Sequence, residues 1–295
     1  MTPVNIFGDG DPDNGIEDSR QRVMGGRGAA SGLADQPLNA GTIFCDGKIR
    51  GSAMVVDTRS IRQDIGGAVL ISAAHVLFDL ETKRLFRRCE FHFLALDQIK
   101  RYRAKIDLED RWMGDFDPLA ATDDSGFGEG DWVFLYIRKP WKAFRPDQTL
   151  ALADYSFLQG ELFRQSGGEV RLIAFDTKTG GMSSSRNCTV VESHADDLGG
   201  GVWKGQLLDD CDSAGGASGG GIVAVVQDKH YLVGIRSGSH WSEETYPFDV
   251  FPKGPPDGSA WDRYTNTNFG RAIDVKILRE LESFLNFVVK NDQTF

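Results

Sequence analysis

CDSAGGASGGGIV, residues 211–223, crowds glycine, alanine and serine around Ser218 and then runs into the apolar stretch GIVAVV (221–226). Glycine adopts positive φ without steric cost, so such a cluster before an apolar run reads as a tight turn opening a buried strand. Glycines beside the serine also let the backbone N–H groups of Gly216 and Ser218 converge on one point. Two converging donors make a site for a developing oxyanion.

Two other segments belong with this turn. LISAAHVL (70–77) sets His75 directly after a β-like run and two alanines, and GEGDWVFLYI (128–137) sets Asp131 at the mouth of an apolar strand. Taken singly, each has an ordinary explanation: a core or surface histidine, a turn aspartate, a Gly/Ser loop. Taken together, in the order His, Asp, Ser, they match a chemical need. A serine hydroxyl is a weak nucleophile until a base removes its proton, and imidazole does this near neutral pH. A buried carboxylate orients the imidazole and stabilises the cation that forms. The candidate catalytic residues are therefore His75, Asp131 and Ser218, with the N–H groups of Gly216 and Ser218 as oxyanion donors.

The surrounding chain has 295 residues and a formal net charge of −10. That balance argues against a nucleic-acid binder, which needs clustered Lys and Arg. No apolar run approaches the ~20 residues that span a bilayer, so a membrane is not an expected partner either. The 35 glycines and many short β-branched runs point to an all-β chain of strands and tight turns. One set of strand-like runs is SAMVVD (52–57), GAVLISAA (67–74), EFHFLAL (90–96) and WVFLYI (132–137). A second set is VRLIAF (170–175), NCTVVE (187–192), GIVAVV and YLVGIR (231–236). The Pro-containing stretch KPWKAFRPDQ (139–148) reads as the linker between them. Over 271–290, Ile277, Leu278, Leu281, Leu285 and Val288 fall at helical spacing, which predicts an amphipathic helix docked on the body. The acid- and glycine-rich stretch 109–130 reads as a loop able to cover a cleft. A monomer is the default.

Four cysteines, Cys45, Cys89, Cys188 and Cys211, allow three pairings, of which Cys45–Cys89 with Cys188–Cys211 is the most economical. The alternative is four reduced, buried thiols. Disulfides imply an oxidising compartment, yet MTPVNIFGDGDPDNG at the start carries no basic or apolar leader. The expected location is secreted or periplasmic with the leader absent from this chain, cytoplasmic residence being the alternative. No CxxC or HExxH occurs, so no zinc site is expected, and nothing calls for a cofactor. Asp9, Asp11 and Asp13 alternate as in part of a calcium loop, but Gly15 is one place late and Arg20 stands where the closing Glu belongs. Residues 1–35 therefore read as a solvated arm.

At this point a resemblance is evident. LISAAHVL, GDWVFLYI and GGASGG resemble the His, Asp and Ser segments of the trypsin/chymotrypsin-like serine peptidases. IFGDGD (6–11), GIRSGS (234–239) and NFGRAI (268–273) resemble the bacterial branch that includes V8-like glutamyl endopeptidases. The resemblance implies two antiparallel β-barrels with a cleft between them: a first barrel over 36–145 with His75 and Asp131, a second over 146–270 with Ser218, and a helix over 271–295. It implies peptide-bond hydrolysis through a covalent Ser218 ester, with a protein or peptide substrate. It also implies a substrate channel formed by Asp212, Ser213, Arg236, Ser237, Gly238 and Ser239.

Two positions depart from the pattern. Ala217 stands where members activated by proteolysis carry Asp and V8-like members carry Asn, so no activating ion pair is expected, although RVMGG (22–26) looks superficially like an activation site. Asp212 occupies the place of the acid that selects basic side chains, while Arg236 fills the place of the His that selects acidic ones. A buried lone charge is costly, so an Arg236–Asp212 pair is expected. Arg236 and Ser213 then favour an acidic or polar residue before the cut. The competing reading is a catalytically inactive or latent peptidase fold serving as a binding module. An α/β-hydrolase esterase fits poorly, because its elements come in the order Ser, acid, His.

Overall fold

Twelve principal strands and one long helix carry the architecture. The computed structural model describes residues 7–8, 21–22, 40–94, 101–120, 127–140, 149–177, 180–193, 204–250, 255 and 258–292. The first six strands are β1 (Ala40–Cys45), β2 (Lys48–Val56), β3 (Ala68–Ser72), β4 (Cys89–Leu94), β5 (Arg101–Ile106) and β6 (Val133–Ile137). They pair antiparallel in the order β6-β3-β2-β1-β4-β5, with Trp112–Met113 added beyond β6. β5 returns beside β6, which curls the sheet toward closure. β3 and β6 are buried at every residue, as their unbroken apolar runs require. The β1–β2 hairpin turns at Asp46 and Gly47, both at positive φ, the conformation an Asp-Gly pair favours.

The second barrel is β7 (Glu169–Asp176), β8 (Gly181–Ser185), β9 (Gln206–Asp209), β10 (Gly221–Val226), β11 (Lys229–Trp241) and β12 (Asn266–Ala272). The order is β9-β12-β11-β10-β7-β8, with Val190–Glu192 beside β9. Several strands were not foreseen. β8 is GMSSS, a run without β-branched or aromatic residues, yet all five positions are buried. The arm is not solvated throughout: Gln21–Arg22 pairs with Ser183–Ser184 of β8, and Phe7–Gly8 pairs with Ser259–Ala260. Asp9, Asp11 and Asp13, residues 23–26 of the activation-like stretch and 141–148 of the linker lie outside the described residues.

The helix runs Val275–Asp292, not from 271. Arg271 and Ala272 complete β12, and Asp274 caps the helix by accepting from Ile277 N at 2.9 Å. Its buried stripe is Ile277, Leu281, Phe284, Leu285 and Val288, with Leu278 half-buried at the edge. That face packs on the first barrel. Phe284 stacks on Phe134 with ring centroids 5.8 Å apart, Trp112 Nε1 donates to Glu280 at 2.8 Å, and Tyr136 donates to Asp292 at 2.7 Å. Among the described residues no helix is long and apolar enough to cross a membrane. Both disulfides are present, Cys45–Cys89 across β1 and β4 and Cys188–Cys211 in the second barrel.

Truncating Phe284→Ala removes a fully buried ring and is expected to cost about 3–5 kcal/mol. Glu282→Ala on the exposed face is expected to stay within about 0.5 kcal/mol. Denaturant unfolding of both variants checks the docking.

Candidate active site

Strand register brings His75 and Asp131 together. β6 pairs with β3 so that Val133 faces Ser72. The residues just outside that pair, Asp131 before β6 and the turn Ala74–Leu77 after β3, therefore meet at one end of the barrel. Asp131 Oδ2 lies 2.9 Å and Oδ1 3.1 Å from His75 Nδ1, and Oδ1 also accepts from His75 N at 3.0 Å. The carboxylate thus holds both the ring and the backbone of the histidine. Burial alone pushes the Asp131 carboxyl up, but the His75 charge and hydrogen bonds outweigh it. Ser237 adds a weaker pull through a hydroxyl near the carboxylate but outside good hydrogen-bond geometry. The net position is below the ordinary carboxylate range, so Asp131 stays ionised. Phe127 sets its ring edge-to-face against His75, centroids 4.8 Å apart, and Phe116 lies tilted at 6.4 Å. The expected covering loop thus supplies an aromatic wall on both its described arms; 121–126 lie outside the described residues.

The Ser218 turn is seated on the first barrel through backbone contacts. Ser52 N donates to Ser218 O at 2.7 Å and Ser52 Oγ donates to Gly216 O at 2.8 Å. Phe175 N donates back to Ser52 Oγ at 2.8 Å, and Ser72 Oγ donates to Ser52 O at 2.7 Å. Ser72 is three residues before His75, so one chain of bonds links the imidazole segment to the serine turn. Sequence reasoning passed over Ser52 and Ser72. Their signal was a small hydroxyl inside an otherwise apolar run. Glycine is required twice here. Gly216 has φ +93°, and a Cβ there would lie 2.7 Å from Phe175. Gly219 has φ +79°, and its Cβ would lie 2.2 Å from both Ser52 O and Ser72 Oγ.

Ser218 is buried beside this framework, and its Oγ donates to Ser237 O at 3.5 Å rather than to His75. Among the described residues the N–H groups of Gly216 and Ser218 donate to no backbone carbonyl. Ser237 therefore stands between the other two groups, its carbonyl facing Ser218 and its hydroxyl near Asp131.

The remaining candidates lie along β11 and the turn before Ser218. β11 bulges against β12 between Arg236 and Gly238, and a Cβ on Gly238 would come 2.9 Å from Phe269. Ser239 Oγ donates to Asn268 Oδ1, and Asn268 Nδ2 donates to Cys211 O at 2.7 Å, tying the strand to the Ser218 segment. Ser213 is buried, and Asp212 N donates to Ser185 Oγ at 3.0 Å. The expected Arg236–Asp212 pair is corrected. Arg236 Nη2 binds Asp209 Oδ1 at 2.6 Å, both side chains being buried. Asp209 ends β9 opposite Asn268, inside the barrel wall that Arg236 faces, and it also accepts from Cys211 N at 3.0 Å.

No family model and no curated protein matches this sequence. Solved structures do. The crystal structure of the protease Anisep from Arthrobacter nicotinovorans aligns with a TM-score of 0.51 at 12% identity, covering 85% of this chain and 97% of that one. At this identity the likeness is one of fold, and with the sheet order above it defines a chymotrypsin-like double barrel.

An aspartate held below its ordinary value stabilises the fold above pH 3.8, and loses that contribution as pH falls through its lower folded value. The stability gap between wild type and Asp131→Asn is therefore expected to shrink as pH falls below 3.8. Unfolding free energies measured from pH 7 to pH 2 read this directly.

Proposed function

We propose that this protein is a serine endopeptidase. The observation that carries the reading is the buried Asp131 carboxylate 2.9 Å from His75 Nδ1, beside the glycine-framed Ser218 turn. With Nδ1 engaged, Nε2 is the nitrogen left for proton transfer. Ser218 rotates from Ser237 O to His75 when substrate enters, and His75 takes its proton as Oγ attacks the scissile carbonyl. The N–H groups of Gly216 and Ser218 stabilise the oxyanion that develops, at about 3 kcal/mol or more for each donor. His75 then protonates the leaving amine, and water hydrolyses the Ser218 ester by the same steps.

The likeness of GIRSGS and NFGRAI to the V8-like branch supports placing the chain near those enzymes. Ser213 and the β11 segment Ser237–Ser239 form the substrate channel in this reading. Among the described residues Arg236 Nε and Nη1 are buried without an acceptor, while Nη2 pairs with Asp209. In this reading Arg236 and Ser213 favour an acidic or polar side chain before the cut. A cleavage profile of a peptide library dominated by Lys and Arg would contradict this preference. Two disulfides support a secreted or periplasmic location.

One observation favours a second reading. Ser218 Oγ rests on Ser237 O and not on His75, as in a latent enzyme or a peptidase fold kept as a binding module. A fluorophosphonate probe read by intact mass separates the two. A single adduct on wild type, absent from Ser218→Ala, is the expected result, and a folded wild type that forms no adduct would leave the latent-enzyme or binding-module reading. His75→Ala is expected to lower kcat by about a million-fold.

A further inference from the structure

The turn Phe127–Asp131 belongs to the first barrel, but half of its backbone is held by the second. Gln206 Nε2 donates to Phe127 O at 3.1 Å, and Arg271 Nε donates to Glu129 O at 2.9 Å. The carbonyls that follow each of these are satisfied locally, Gly128 O by Asp131 N at 3.1 Å and Gly130 O by Trp132 N at 2.8 Å. Four consecutive carbonyls are thus bound, alternately from within the turn and from across the cleft. Gln206 and Arg271 are direct cross-strand partners on β9 and β12, and both are fully buried. Arg271 is itself fixed by Gly205 O at 2.7 Å, Ala272 O at 2.8 Å and Asp274 at 2.7 Å. Gly205 is small because a Cβ there would strike the guanidinium at 2.6 Å.

The two ends of this turn carry the groups that define the imidazole: the Phe127 ring set edge-to-face against it and the Asp131 carboxylate on Nδ1. We infer that Gln206 and Arg271 are positioning residues, which from the second barrel pin the turn carrying Phe127 and Asp131 and so set the orientation of His75. The inference rests on the endopeptidase reading for its catalytic consequence, though the geometric consequence stands apart from it. The imidazole of one barrel is then oriented only when the serine-bearing barrel is docked.

The test uses Gln206→Met, which keeps the chain length and loses the amide donor, and Arg271→Lys, which keeps a cation for Asp274 and loses the Nε donor. Lys276→Ala is the control, since it removes only the exposed ion pair to Glu129 at 3.2 Å. The first readout is the low-field proton NMR signal of His75 Nδ1–H, which needs no turnover. It is expected in wild type and in Lys276→Ala, and expected to broaden and exchange faster in Gln206→Met. The second is peptidase kinetics normalised by active-site titration. There kcat/KM is expected to fall about 10- to 100-fold through kcat, with KM little changed. In an Asp131→Asn background the Gln206 substitution is expected to cost almost nothing more. A signal and kcat unchanged in folded Gln206→Met would overturn the inference, as would absence of the signal in folded wild type. A wild type that resists the probe while its signal still depends on Gln206 would sink the endopeptidase reading and leave the positioning intact.

Discussion

Ser52 is where the two barrels meet through backbone, and the site depends on it. One small residue in the middle of β2 uses its N–H, its hydroxyl and its carbonyl at once: on Ser218 O, on Gly216 O and Phe175 N, and on Ser72 Oγ. A buried polar group must find a partner or cost the fold its desolvation. Here the partners are the serine turn on one side and the strand leading to His75 on the other. The requirement to satisfy Ser52 therefore fixes the separation of the His75 segment and the Ser218 turn more tightly than apolar packing, which is non-directional, is able to. Gly51 and Gly219 carry no side chain because the backbones close on one another at this seam: a Cβ on either would fall within 2.6 Å of a neighbouring carbonyl oxygen.

The second constraint is the sharing of covering elements across the cleft. The C-terminal helix leaves the second barrel yet buries Phe284 on Phe134 of the first. Gln206 and Arg271 leave the second barrel to hold the Asp131 turn of the first. Neither barrel is complete on its own terms, and the cleft is defined by contacts that cross it.

Much of this was legible in the chain. β3, β6 and β10 are continuous apolar runs, and such runs mark buried strands wherever they occur. His75, Asp131 and Ser218 were visible because each stands at the end of one of these runs or in a glycine turn before one. What escaped has a physical cause in each case. β8 is three serines and a methionine after glycine, buried because tertiary pairing overrides its propensity. Ser52, Ser72 and Gln206 act through bonds to residues distant in sequence, and no local pattern names those partners. The Arg236 partner was misassigned for the same reason. Asp212 is nearer Ser218 in sequence, but the Arg236 side chain reaches Asp209, which stands on β9 opposite Asn268, two strands away from β11.

The docking of the C-terminal helix has a consequence for how the chain is made. Domains fold as they emerge, N-terminal first. β6 is finished more than a hundred residues before the helix that covers Phe134, and the second barrel is made in between. The first barrel thus emerges with an apolar face open. It acquires its cover, and its imidazole acquires its second-barrel supports, only when the late segments arrive. The contacts that frame His75 and cover Phe134 are therefore completed only after Val275–Asp292 has been made.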